Sequence, residues 1–114
     1  MKLLKPLGLL LSMAMAASAP AQAQNFPNKP VTLMVPYPAG GATDALARMV
    51  AQKMQESWQQ TVIVENKPGA GGTIGNNQVA KAPADGYTVL FGIVALVQQM
   101  TLMKLPYDPI KDFA

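Results

Sequence analysis

The sequence predicts an α/β protein, a partial parallel sheet built from βαβ units. Three observations carry this expectation. Apolar, strand-like runs alternate with helix-patterned segments in the order strand, helix, strand, helix, strand. The first run, Val31-Thr-Leu-Met-Val35, is apolar at four of five positions rather than alternating, which suits a strand covered on both faces. Small-residue, glycine-rich loops follow the first two strands, on the edge where open parallel sheets receive ligands.

Residues 1–23 read as a secretory signal peptide. Lys2 and Lys5 form the positive end, Leu7 to Ala17 the apolar stretch, and Ala21-Gln22-Ala23 the small-x-small cleavage pattern. Eleven residues are too few to span a bilayer, which takes about 20. Cleavage after Ala23 and export to the periplasm are expected, with no stable membrane insertion afterwards. No cysteine follows the cleavage site, so a lipoprotein anchor is excluded.

The remaining segment, 24–114, is long enough for at most one modest domain. It carries seven basic and six acidic residues with no cluster of either sign, so a nucleic-acid surface is not expected. The chain has no cysteine and no histidine. That excludes disulfides, thiolate or imidazole metal sites, and Ser-His-Asp or Cys-His catalysis within it. No cofactor and no catalytic residue is assigned.

Asn25 to Pro30 is a polar lead-in held extended by Pro27 and Pro30. After the first strand comes Pro36-Tyr37-Pro38-Ala39-Gly40-Gly41-Ala42-Thr43-Asp44. Thr43 is a candidate cap for the next helix, and Asp44 suits its electropositive first turn. A strand, a tight loop and a helix N-terminus make a place to hold an anion. The helix is expected from about Asp44 to Ser57, with Leu46, Met49, Val50, Met54 and Trp58 on a core-facing side. Arg48 is placed to reach an anion, or to pair with Glu56.

Thr61 to Glu65 is the second strand, followed by Asn66-Lys-Pro-Gly-Ala-Gly-Gly72 and a weak helix from Thr73 to Lys81. Ala82 to Gly86 is a turn, and Tyr87 to Phe91 the third strand. Ile93 to Met103 is apolar apart from Gln98 and Gln99 and has no definite period. The loops at 36–43, 66–72 and after Gly92 should meet at one sheet edge. A dinucleotide reading of the second loop fails on spacing, because Ile74 stands where the last glycine belongs, and no G-K-[ST] follows either loop. Tight turns and close strand–helix packing explain Gly69, Gly71 and Gly75 as well as a ligand would.

Four ordered motifs carry a resemblance. They are Lys29 to Asp44, Val64 to Gly75, Val79 to Leu90 (V-A-K-A-P-A-D-G-Y-T-V-L), and Leu105 to Phe113 (L-P-Y-D-P-I-K-D-F). The chain resembles the substrate-binding receptors of tripartite tricarboxylate transporters, the TctC or Bug family. That resemblance implies the first lobe, incomplete, of a two-lobe periplasmic (Venus-flytrap) fold. It also implies a small organic carboxylate as ligand and a membrane permease as partner. Carried over position by position, Tyr37, Ala39, Gly40, Gly41, Thr43 and Asp44 form the first-lobe binding loop, and Ile93 and Val94 belong to a second set of contacts. Family members usually place small polar residues there, whereas this chain has Ile93-Val-Ala-Leu96. Two other readings remain open on the residues alone: an exported enzyme lobe with a phosphate or nucleotide loop, and a non-functional truncation product.

Overall fold

The computed structural model describes residues 25–113, and the leader lies outside the described residues. Three strands form one parallel sheet in the order β2-β1-β3, where β1 is Val31–Val35, β2 is Val62–Asn66 and β3 is Thr88–Leu90. Helix α1 (Ala42–Trp58) connects β1 to β2, and helix α2 (Thr73–Ala80) connects β2 to β3. Helix α3 (Ala95–Leu102) follows β3. The alternating architecture and the parallel pairing are those the sequence predicts.

β1 is central because its residues can be buried on both faces. Val31, Leu33, Met34 and Val35 are each at most 2% exposed. Val31 pairs with Val62 and Val35 with Asn66 on one side, while Thr32 pairs with Thr88 and Met34 with Leu90 on the other. The ladder runs past the strand ends: Lys67 N–H donates to Val35 O and Phe91 N–H to Met34 O, both at 2.8 Å. The strand ends are therefore tied together at the edge where the loops leave.

Val31, Leu33 and Val35 point to one face, where they pack with Ala47, Ala51 and Val62. This corrects the expected facing of α1. Its sheet side is Asp44, Ala47 and Ala51, whereas Leu46, Met49, Val50 and Trp58 are 36–65% exposed. The physical reason is distance. Alanine at 47 and 51 lets the helix backbone lie close over the valines of β1, and larger side chains would hold it off. Only Met54 of the expected side packs against this core, and it is half-buried.

The helix ends by local chemistry. Gln59 takes the left-handed conformation (φ 53°) and its N–H bonds Gln55 O at 2.9 Å. The Gln55 side chain then accepts from Val62 N–H at 3.1 Å, joining the helix end to the start of β2.

Helix α2 approaches the end of β1 through Gly75. A Cβ there would lie 2.8 Å from Lys67 O and 2.9 Å from Pro36 Cα. The close-packing role considered for this glycine is the one the structure gives it. Gly75→Ala is expected to lower stability by about 1–3 kcal/mol, because the neighbours are backbone and cannot swing aside. Leu33→Ala, which opens a cavity beside β1, is expected to cost about 2–5 kcal/mol. Urea unfolding of the two variants beside the parent chain checks both, and an unchanged midpoint for Gly75→Ala would contradict this packing.

Candidate functional site

The chain leaves β1 towards β2, then crosses back over β1 to β3. Strand order therefore reverses between β1 and β3, and such a switch point is where open parallel sheets receive ligands. The first loop, Pro36 to Gly41, ends at the open N-terminus of α1. Gly41 is the residue before the helix, and no side chain caps it. This corrects the expected role of Thr43. The helix begins at Ala42, so Thr43 already lies inside the first turn and its hydroxyl does not cap. The first helical bond joins Ala45 N–H to Gly41 O at 3.0 Å, which leaves the amides of Ala42, Thr43 and Asp44 at the electropositive end. Gly41 and Ala42 are exposed and Thr43 is half-buried, so this end is accessible.

Asp44 organises the loop. Its Oδ2 accepts from Gly40 N–H at 2.8 Å and from Arg48 Nε at 3.0 Å. Its Oδ1 accepts from Asn66 Nδ2 at 3.0 Å. The same amide group reaches Tyr37 O at 3.1 Å, and an Arg48 Nη donates to Asn66 Oδ1 at 3.2 Å. One carboxylate thus joins the loop, the helix and the end of β2. The reach back from the third helical residue resembles half of a capping box, displaced by one residue. Gly40 sits at φ +86°, the left-handed region, which turns its N–H inward. That amide is consequently spent on Asp44 rather than presented outward.

These bonds hold the Asp44 carboxyl well below its ordinary value, at about 2. The Gly40 N–H contributes most, followed by Arg48 and Asn66. Arg48 pairs with Asp44, while Glu56 pairs with Lys53 at 2.7 Å. The Arg48 side chain stays 54% exposed beside the loop.

The other expected site residues are placed as follows. Ala39 is exposed in the turn of the first loop. Tyr37 sends its hydroxyl inward, and burial raises its pKa, helped by the Tyr107 phenol. Ile93 and Val94 are 43% and 70% exposed at the start of the segment leading into α3. The second loop is tied to α3 by Gln99, whose Nε2 donates to Gly71 O at 2.8 Å. Sequence reasoning missed Asn66 and Gln99. A polar residue at the end of an apolar strand, and a glutamine interrupting an apolar helix, were the available signals. Among the described residues no cluster of His, Cys, Asp or Glu could hold a metal ion, and no helix is long and apolar enough to cross a membrane.

A parallel sheet with an uncapped helix end at its switch point defines an α/β lobe of the open, wound type. The chain matches the model of the tripartite tricarboxylate transporter family receptor (TctC) over residues 46–114. It belongs to that family. It is 40% identical over 114 residues to the protein BugT of Bordetella pertussis, covering 97% of this chain and 35% of that one. Among solved structures it is similar to MatC of Rhodopseudomonas palustris with bound malate, at TM-score 0.65 and 37% identity, over 76% of this chain and 30% of that one. It is also similar to a second R. palustris protein solved with adipate, at TM-score 0.56 and 45% identity, over 57% of this chain and 22% of that one. The chain thus spans about a third of the length of relatives such as BugT.

The clasp carries a pH signature. Stability supplied by ionised Asp44 is fully present above its ordinary value of 3.8 and is lost as pH falls through about 2. Asp44→Asn is therefore expected to be less stable than the parent at neutral pH, with the gap closing as pH drops from 3.8 towards about 2. Urea midpoints across that range measure it, and a gap independent of pH would contradict the clasp.

Proposed function

We propose that this chain forms a ligand-gripping jaw of a periplasmic solute receptor. The receptor captures a small organic carboxylate and passes it to a membrane permease of the tripartite tricarboxylate type. The observation that carries the reading is the open N-terminus of α1 beside the β1/β3 switch point. Its amides are uncapped and accessible, and the helix dipole favours negative charge there. Malate in MatC and adipate in the second R. palustris protein are both small dicarboxylates, which supports the ligand class. Export through the leader, with cleavage after Ala23, fits a periplasmic receptor.

The residues divide by task. The amides of Ala42 and Thr43 line the carboxylate seat, while the Gly41 N–H is turned back to Pro38 O at 3.4 Å. Asp44 has the wrong sign to meet a carboxylate directly, and it acts by holding Gly40, and through Asn66 the Tyr37 carbonyl, so that the seat keeps its shape. Tyr37 and Ala39 form the body of the loop. Ile93 and Val94 offer an apolar wall for the hydrocarbon part of the ligand. No bond-making step is assigned to any residue.

A single jaw should bind in the millimolar range and show the contact at its amides. Adding malate or adipate to the ¹⁵N-labelled chain is expected to shift the Ala42 and Thr43 resonances first. Ala42→Pro removes one donor at a helix position that tolerates proline, and the preceding Gly41, at φ −77° and ψ 173°, already has the conformation proline requires. A hydrogen bond to a charged group is worth about 1.5–3 kcal/mol, so about tenfold or greater weakening is expected, with the melting temperature kept. Shifts confined to other residues, or an unaltered affinity in Ala42→Pro, would overturn the reading.

A further inference from the structure

Helix α3 docks on the lobe through a polar side chain. Among its residues only Gln99 is buried, while Val97, Met100 and Leu102 are 40–79% exposed. Ala95 and Leu96 are half-buried, so apolar packing does little to hold this helix. The Gln99 amide is bonded at both of its polar atoms instead. Its Nε2 donates to Gly71 O at 2.8 Å, and its Oε1 accepts from the Thr73 hydroxyl at 3.4 Å. A buried amide that lost these partners would carry an uncompensated desolvation cost, so the bonds select one placement of Gln99 on the second loop.

The stretch of loop that Gln99 grips also touches the first loop. From Gly69 to Gly72 the backbone runs at positive φ, with values of 134°, 49°, 65° and 97°. Ala70 is one of the four, and a residue with a Cβ takes that conformation at a cost, so an outside hold matters. Tyr37 lies against the bare face of Gly72. A Cβ there would sit 3.2 Å from the Tyr37 hydroxyl oxygen and 3.3 Å from its Cζ. At its other end, the Tyr37 carbonyl accepts from Asn66 Nδ2 at 3.1 Å. Tyr37 is thus held at its backbone by the Asp44–Asn66 clasp and at its ring by the glycine turn.

We propose that Gln99 is a positioning residue for the first loop. It fixes the Gly71–Gly72 backbone, that backbone seats the Tyr37 ring, and the seated ring keeps the loop in the shape that presents the Ala42 and Thr43 amides. Each link is short: a hydrogen bond from Gln99 to Gly71, one peptide bond to Gly72, and a van der Waals contact from Gly72 to Tyr37. Gln99 acts through these residues and needs no contact with ligand. Its effect on binding rests on the reading of that loop as the carboxylate-binding loop; its hold on Tyr37 does not.

Nuclear magnetic resonance on the ¹⁵N,¹³C-labelled full chain tests the hold without any variant. Overhauser contacts are expected from the Gln99 side-chain amide to Gly71 and from the Tyr37 ring to the Gly72 Hα. Gln99→Met keeps an unbranched side chain of similar length and removes both bonds. It is expected to speed hydrogen exchange about tenfold at the Gly40 amide, which Asp44 accepts, and to leave Leu33 of β1 unchanged. It is also expected to weaken adipate binding by about threefold or more. Gln98→Met, at an exposed position of the same helix, is expected to alter none of these. Absence of either Overhauser contact in the parent chain overturns the proposal. Gly40 exchange or adipate affinity in Gln99→Met equal to that in Gln98→Met also overturns it. So does an equal rise at Gly40 and Leu33, which marks a loss of overall stability only. If Gly40 responds as expected while Ala42 and Thr43 of the parent ignore malate and adipate, the carboxylate reading alone is overturned. Ligand shifts at those two amides with Gly40 unmoved in Gln99→Met overturn only the role of Gln99.

Discussion

The loop at the edge of this sheet has its shape because one carboxylate is bonded on every side. Asp44 takes the Gly40 amide, the Arg48 guanidinium and the Asn66 amide at 2.8–3.0 Å. Each partner belongs to a different piece of chain: the loop, α1 and the end of β2. This clasp and the longer Gly41 N–H to Pro38 O bond hold the left-handed turn at Gly40 and set the direction of the amides that follow. A charge spent on internal structure thus leaves an uncapped, electropositive helix end next to it. The helix N-terminus stays electropositive because Asp44 is balanced by Arg48 and turned back into the loop.

The sheet supplies the position and the clasp supplies the geometry. β1 is buried on both faces and flanked by β2 and β3, which puts the loop after β1 beside the point where the strand order reverses. α1 can lie close because it presents Ala47 and Ala51 to the sheet, and α2 because it presents Gly75 to Pro36 and Lys67. Small residues at these contacts bring both helices up against the strand ends.

Much of this was legible in the residues. The unbroken apolar run at Val31–Val35 indicated a buried parallel strand, and Pro38-Ala-Gly-Gly41 indicated a tight loop ending at a helix N-terminus. What was not legible depended on packing between segments distant in sequence. The larger apolar residues of α1 suggested a core face, but the sheet accepted the alanines because backbone proximity decided the contact. Thr43 looked like a cap because threonine favours that position, yet Asp44 reached back to Gly40 and the helix began earlier. Asn66 and Gln99 gave no periodic signal, because each acts through one side-chain bond across the loop cluster.

The central claim is that the first-turn amides of α1 hold a carboxylate. A crystal structure of this chain grown with malate tests it most directly. Carboxylate oxygens are expected within about 2.7–3.2 Å of the Ala42 and Thr43 nitrogens, with the Asp44 clasp intact. Malate seated instead on the exposed guanidinium of Arg48, with those amides facing solvent, would contradict it.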